Sequence, residues 1–179
     1  MPTDNDTLLA LLERERAAFL AQVERVPAAR QAQRPSPAQW SVVEIVEHVS
    51  RVDIGVSKLI ALRTAQPLLV PPEERVAAQL SAERIGWIRN REQRVVAPDR
   101  VLPTGALSME AAMAQLQSAR AALVAAYLAA DDVVLDGAVH PHPFVGPLTL
   151  RGWVELAAHH DARHGRQVGE VADWAAHSA

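Results

Sequence analysis

The sequence predicts an all-α protein, a four-helix bundle in which a long crossover joins helices 2 and 3. Its twelve prolines leave long proline-free windows, and a helix interior excludes proline at a cost of about 3 kcal/mol. Those windows are rich in Ala, Leu, Arg, Glu and Gln, which favour helix. The Asn-Gly dipeptide typical of β-hairpins is absent. Four windows carry apolar residues at helical spacing, which predicts four long helices.

Helices 1 and 2 have recognisable apolar stripes. Helix 1 is predicted from about Thr7 to Pro27, with Arg16 interrupting its stripe. Helix 2 has the clearest start, because Trp40 precedes Ser41-Val-Val-Glu44, an S-x-x-E capping box with an apolar residue at the staple position. The helix 2 stripe has spacings of three and four residues and consists of Val42, Ile45, Val49, Val52, Val56 and Leu59.

The second half of the chain supplies the crossover and two further helices. Residues 67–103 predict one or two short helices, around Glu73–Leu80 and Ile85–Gln93, followed by an extended piece. A connection of this length indicates a crossover and not a tight turn. Helix 3 is predicted after the N-cap Ser108, as far as about Ala130, and helix 4 over about 149–176.

Length and composition limit the class of protein. A chain of 179 residues predicts one domain spanning 1–179. The net charge of −3 argues against a nucleic-acid partner. The absence of cysteine excludes disulfides, Cys-type zinc sites and a Cys nucleophile. The longest apolar run, Ala121–Ala130, is too short for a membrane helix of roughly 20 residues, and the acidic N-terminus does not resemble a signal peptide. We therefore expect a cytoplasmic protein without a membrane partner.

Helix 4 carries the main candidate functional residues. Its heptad spacing places His160, His164 and Gln167 on the core-facing seam, whereas Asp161 and Arg163 are expected on the outer face. Two histidines at i,i+4 can bind one metal ion, as in the H-E-x-x-H pattern. From the spacing alone, two hydrogen-bonded core histidines are an equal alternative.

A third metal ligand has to come from another helix. His48 is the candidate, since it flanks the helix 2 stripe, although a single buried histidine is more often a hydrogen-bonded core residue. Glu44, one turn earlier, is predicted to orient His48 as a hydrogen-bond acceptor. Gln167 is predicted to act as a hydrogen-bond donor one turn beyond His164, and a satisfied buried amide is an equal alternative. His159 is out of phase with His164 and is expected to point away.

Two segments of this chain resemble a known family. They are Trp40-Ser-Val-Val-Glu-Ile-Val-Glu-His-Val and the stretch from His142-Pro-Phe-Val-Gly-Pro-Leu-Thr-Leu-Arg-Gly-Trp to His160-Asp-Ala-Arg-His-Gly-Arg-Gln. Together they resemble the DinB/YfiT-like metal-binding four-helix bundles, and the likeness extends over nearly the whole chain. Helix 1 and residues 67–107 match only in general character. The resemblance implies that His48, His160 and His164 bind one divalent metal ion, zinc or nickel.

The resemblance also suggests a function. Three neutral histidines leave a coordination position open, as in catalytic metal sites, which predicts a metal-dependent enzyme acting on a small molecule. Similar proteins include thiol-dependent S-transferases, so a transferase or hydrolase with an external low-molecular-weight thiol as co-substrate is the first expectation. The alternative is a non-catalytic stress-response protein, binding or structural, whose metal stabilises the bundle.

The sequence also suggests self-association. Members of the resembled family are often dimers, and helix 4 carries the small residues Gly165, Gly169, Ala172 and Ala176 at spacings that permit close packing. We therefore expect a homodimer with this stripe at its interface.

Overall fold

Four long helices form the body of the protein in the computed structural model, which describes residues 4–177. They are α1 (Asn5–Glu24), α2 (Val42–Ala65), α5 (Met109–Leu128) and α7 (Leu150–His177), and they correspond to predicted helices 1 to 4. The shorter elements are α3 (Pro72–Ala77), α4 (Ala82–Arg89), α6 (Asp132–Gly137), strands β1 (Val139–His142) and β2 (Gly146–Thr149), and 3-10 turns at Ala28–Arg30 and Asp99–Val101. The predicted four-helix bundle is confirmed. None of the helices within 4–177 is both long and apolar enough to cross a membrane.

The predicted N-caps are formed. The Ser41 hydroxyl accepts from the backbone N–H of Glu44, and the Glu44 carboxylate accepts from the backbone N–H of Ser41 at 2.8 Å, which completes the capping box. The Ser108 hydroxyl caps α5 by accepting from Ala111 N–H. These contacts satisfy N–H groups that have no partner within the first turn of a helix.

The directions of the long helices explain the crossover. Side-chain contacts join Arg25 to Asp173 near the ends of α1 and α7, and Asn5 to Arg151 near their starts, so these two helices run parallel. Helices α2 and α5 are also parallel, since Gln115 donates to Ser50 and, further along both helices, Arg120 contacts Asp53. Two parallel neighbours require the chain to return along the bundle, and residues 66–108 make that return.

A buried ion-pair network joins all four long helices between two apolar halves of the core. Arg16 of α1 contacts Asp53 of α2 and Asp161 of α7, each at 2.9 Å. Arg120 of α5 contacts the same two carboxylates at 2.9 Å. The prediction that Asp161 lies on the outer face is wrong, because its side chain is fully buried. A buried carboxylate requires charged partners, and here the partners come from two other helices.

The sequence predicted neither the short helix α6 nor the hairpin of β1 and β2 between α5 and α7. The two strands are antiparallel, with His142 opposite Gly146. The turn does not use Asn-Gly but ends on Gly146, whose φ of +76° lies in the left-handed region that favours glycine. Pro141 and Pro147 also argue against a strand, yet they pair with each other in this two-stranded sheet.

Most of the small-residue stripe of α7 packs inside the chain. A Cβ atom at Gly165 would lie 3.5 Å from the Cα atom of Phe19, and one at Gly169 would lie 3.2 Å from Oε1 of Gln22. Ala172 is also buried. Gly165, Gly169 and Ala172 therefore pack inside the chain and are not free to form the expected dimer interface, whereas Ala176 is exposed. The homodimer itself stays a prediction.

Candidate metal centre

Three histidines from two helices meet at one point. The candidate ligand atoms of His48 on α2, and of His160 and His164 on α7, all lie within 4.8 Å of one another. Nε2 of His48 is 3.2 Å from Nε2 of His160, and the ring centroids of His160 and His164 are 4.2 Å apart. The structure therefore brings together the three residues that the sequence singled out.

The crossover holds the His48 ring in place. Nδ1 of His48 donates to the carbonyl oxygen of Val101 at 2.7 Å. Since a carbonyl only accepts, the ring proton is on Nδ1, and Nε2 keeps a free lone pair beside His160. The ring of Trp40 packs on the same imidazole at a centroid distance of 4.8 Å. The orientation of His48 thus depends on a backbone atom more than 50 residues away along the chain.

The predicted role of Glu44 is wrong. Its carboxylate accepts from Ser41 N–H in the capping box and pairs with the guanidinium of Arg34, so it does not orient His48. The neighbouring Glu47 has a role that the sequence did not indicate. It is 2% exposed and accepts from the backbone N–H of Thr104 at 2.9 Å. This contact ties the crossover to α2 a few residues beyond the turn that holds His48.

The helix 4 residues behave largely as expected. Oε1 of Gln167 lies 2.7 Å from Nδ1 of His164, so Gln167 contacts the outer nitrogen of that ring as a hydrogen-bond acceptor and not as the expected donor. His159 is outside the cluster, as predicted, and its Nδ1 accepts from Nε of Arg89 at 3.1 Å. Arg163 differs from expectation, because it is only 7% exposed. It donates to the carbonyl oxygens of Ile88, Asn90 and Gln93, which holds the crossover against α7.

The surroundings keep all three imidazoles neutral. Burial lowers the pKa of His48 to about 4. Burial, together with the other histidines of the cluster, holds the pKa values of His160 and His164 well below the usual 6.5. At neutral pH each of the three rings is therefore neutral, with one nitrogen free of a proton, which is the form that binds a metal ion.

The donor set fits a divalent ion of borderline softness. Imidazole nitrogen is a good ligand for zinc and nickel, and the outer nitrogens of His48 and His164 have hydrogen-bond partners of the kind that orient metal-bound histidines. Within residues 4–177, the candidate metal-binding group consists of these three histidines without a carboxylate. This arrangement leaves room for a further ligand from outside the protein.

The histidine cluster lies in a large groove. The groove has a volume of about 1320 Å³ and is lined by parts of α2, the crossover, the hairpin and α7. Aromatic rings form much of its wall, and Trp87 stacks on Phe144 at a centroid distance of 5.9 Å. Nε1 of Trp153 donates to the carbonyl oxygen of His140, which fixes the hairpin over the start of α7. A small molecule can therefore approach the three histidines through a preformed cleft.

Comparison with known proteins agrees with this architecture. The DinB superfamily profile matches residues 11–168, which include all three histidines. The chain belongs to the DinB superfamily. It is 26% identical over 140 residues to YuaE of Bacillus subtilis (strain 168), described as uncharacterized, covering 78% of this chain and 81% of YuaE. The crystal structure of TT2238, described as a four-helix bundle protein, is similar with a TM-score of 0.58 at 25% identity, covering 90% of this chain and 94% of TT2238.

Proposed function

We propose that this DinB superfamily protein binds one divalent metal ion, zinc or nickel, through His48, His160 and His164, and acts as a metal-dependent enzyme on a small molecule. The observation that carries the proposal is the convergence of three neutral imidazoles at the groove, with candidate ligand atoms within 4.8 Å of one another. A closed structural zinc site has four protein ligands. Three histidines beside an open cleft favour a site that receives substrate.

Different residues of the chain would orient the histidines and bind the substrate at such a site. The carbonyl of Val101 and the side chain of Gln167 hold the outer nitrogens of His48 and His164, so the inner nitrogens are free to bind the ion. A divalent ion with an open position supplies Lewis acidity, which lowers the pKa of a water molecule or a thiol bound there. The aromatic side chains of the groove provide apolar contact area for the substrate.

The reaction class we propose is thiol S-transfer or hydrolysis. The chain contains no cysteine, so a thiol that takes part in the reaction must be an external, low-molecular-weight co-substrate. The competing function is a non-catalytic one, in which the metal only stabilises the bundle. Metal-loaded protein should be screened for transfer of a small thiol to electrophilic substrates and for hydrolysis of small esters and amides. Turnover that is lost on chelation and restored by zinc or nickel supports the enzyme, whereas metal-loaded protein without turnover favours the non-catalytic function.

Metal occupancy tests the ligand assignment directly. We expect each single Ala substitution of His48, His160 or His164 to lower the bound metal from about one ion per chain to a small fraction, because two imidazoles hold a divalent ion weakly. Occupancy is measured by elemental analysis of protein purified without a metal-affinity tag. His159→Ala is the matched control, since His159 is buried on the same helix but outside the cluster, and it should retain the ion. Full occupancy in a triple Ala variant would refute the assignment.

A further inference from the structure

The groove beside the three histidines carries an excess of positive charge. Its charged lining consists of five cationic side chains and two carboxylates: Lys58, Arg91, Arg94, Arg100, Arg163, Glu92 and Glu170. The chain as a whole has a net charge of −3, so the excess is a property of this cleft. Only Arg91 among these cations forms an ion pair within residues 4–177, with Glu170 at 2.9 Å. A cleft lined by one sign of charge attracts ligands of the opposite sign.

Arg100 is the cation best placed to act near the histidines. It directly precedes Val101, whose carbonyl holds His48, so one short turn positions both. The guanidinium lines the groove and has no hydrogen-bond or ion-pair partner among residues 4–177. It also lies near strand β1. Burial lowers the pKa values of His140 and His142, and the positive charge of the nearby Arg100 lowers them further. Its donors are therefore available to a ligand between the crossover and the hairpin.

His142 offers a hydrogen-bond donor with a fixed orientation. Its Nδ1 accepts from the backbone N–H groups of Phe144 at 3.2 Å and Val145 at 3.3 Å. Burial lowers its pKa to about 4, so the ring is neutral and the proton must reside on Nε2. That Nε2–H has no partner among residues 4–177, and the ring lines the groove 5.0 Å from the ring of Trp153.

The remainder of the groove mouth is apolar. Phe144 is 41% exposed although it stacks on Trp87. Val95 and Val96 of the crossover also line the groove and are exposed. Exposed apolar surface beside unpaired donors suits a ligand that has one charged group and an apolar body.

We propose that the substrate is a small molecule carrying one oxyanion, a carboxylate or a phosphate, on an apolar body. Arg100 and Nε2–H of His142 bind the oxyanion, while the apolar body lies against Trp87 and Phe144. That the bound molecule is a substrate rests on the proposed function. The charge and the donors belong to the chain itself and are present with or without a metal ion.

Calorimetric titration with simple probes tests this specificity. Metal-loaded protein is titrated with benzoate, with phenylphosphonate, and with benzamide as the neutral compound of similar shape. We expect the better anion to bind about tenfold more tightly than benzamide, since hydrogen bonds to charged groups are stronger than those to neutral ones. The preferred anion then identifies the oxyanion as carboxylate or phosphate.

Substitutions locate the site. Arg100→Gln and His142→Phe should each weaken anion binding about five- to tenfold and leave benzamide binding and metal content unchanged. Arg14→Gln removes one positive charge from a side chain that is 68% exposed and outside the groove lining, and should have no effect. Arg100→Lys, which keeps the charge on an exposed position, should retain most of the affinity. Unchanged metal content and thermal unfolding of His142→Phe check that this variant is folded.

The outcomes separate this inference from the metal proposal. Anion preference that depends on Arg100 in a protein that binds no metal supports the oxyanion site and overturns the proposed function. Metal-loaded protein that binds benzoate no better than benzamide overturns the oxyanion site and leaves the metal centre standing. Anion binding that disappears on chelation and is unaffected by Arg100→Gln also overturns it, because the metal ion alone would then bind the anion.

Discussion

At the scale of single residues, the affinity of the proposed metal centre depends on the hydrogen-bond partners of the outer histidine nitrogens. The outer nitrogen of His164 lies 2.7 Å from Gln167, and that of His48 donates to Val101. Such contacts fix ring orientation and raise the basicity of the metal-binding nitrogen, and their loss costs about 10- to 100-fold in metal affinity. Of the two, only Gln167 can be tested by substitution, since the partner of His48 is a backbone atom.

We expect Gln167→Leu to weaken metal binding by about tenfold, because the acceptor for His164 is lost while the apolar replacement preserves the packing. Gln167→Glu retains an acceptor oxygen and should bind the ion at least as well as the wild type. Competition with a chromophoric chelator gives the affinities, and thermal unfolding of the metal-free variants checks that the fold is intact. Equal affinities for the Leu variant and the wild type would show that Gln167 does not position His164.

At the scale of elements, the start of α2 is stabilised by a charged cap. The Glu44 side chain is only 7% exposed, and burial opposes its ionisation. The Arg34 guanidinium and the Ser41 contacts outweigh that effect and lower the pKa of Glu44 below 4.5. Ionised Glu44 therefore stabilises the folded state above pH 4.5, and this contribution disappears as the pH falls through the lowered pKa.

We expect Glu44→Gln to reduce the free energy of unfolding by about 1 kcal/mol at neutral pH. The difference from the wild type should shrink as the pH falls below 4.5, because the wild-type carboxyl then also becomes neutral. Urea unfolding of the metal-free proteins across this range measures it, with Glu110→Gln in the first turn of α5 as the control. A difference that stays constant with pH would contradict the ionic contribution of Glu44.

At the scale of the whole molecule, the bundle has an extensive apolar core besides the candidate metal centre. Two apolar clusters fill its halves, and the network of Arg16, Asp53, Arg120 and Asp161 joins the four long helices between them. Small zinc modules without such a core unfold when the metal is removed. Here the three histidines lie beside a groove and connect only α2 with α7.

We therefore expect chelation to leave the helical circular dichroism and cooperative unfolding of the protein largely unchanged, while turnover that depends on the ion is lost. Added zinc should restore the lost turnover without changing the helical signal. Loss of helical structure on chelation would instead favour the non-catalytic function, in which the ion stabilises the fold.

The homodimer is a separate prediction at this scale. Gly165, Gly169 and Ala172 of α7 pack inside the chain and are not free to form the interface, so a dimer must use another surface. Light scattering at micromolar concentration distinguishes a dimer of 19.4 kDa chains from a monomer, and a monomeric mass would refute the prediction.

The sequence by itself determined the long helices and the pairing of His160 with His164. These features follow from local spacing, since capping residues and apolar periodicity act within a few turns of one helix. The position of His48 beside the helix 2 stripe made it a candidate third ligand, and the resemblance of the Trp40–Val49 segment to a known family supported that assignment. The tertiary structure decided the features that depend on the path of the crossover and the hairpin. In the folded protein His48 donates to the carbonyl oxygen of Val101, and Glu44 pairs with Arg34. Arg100 and His142 line the same groove. Asp161 is buried between arginines of α1 and α5. Apart from the contact of Glu44 with Arg34, these features join segments far apart along the chain, so packing decides them and local periodicity does not.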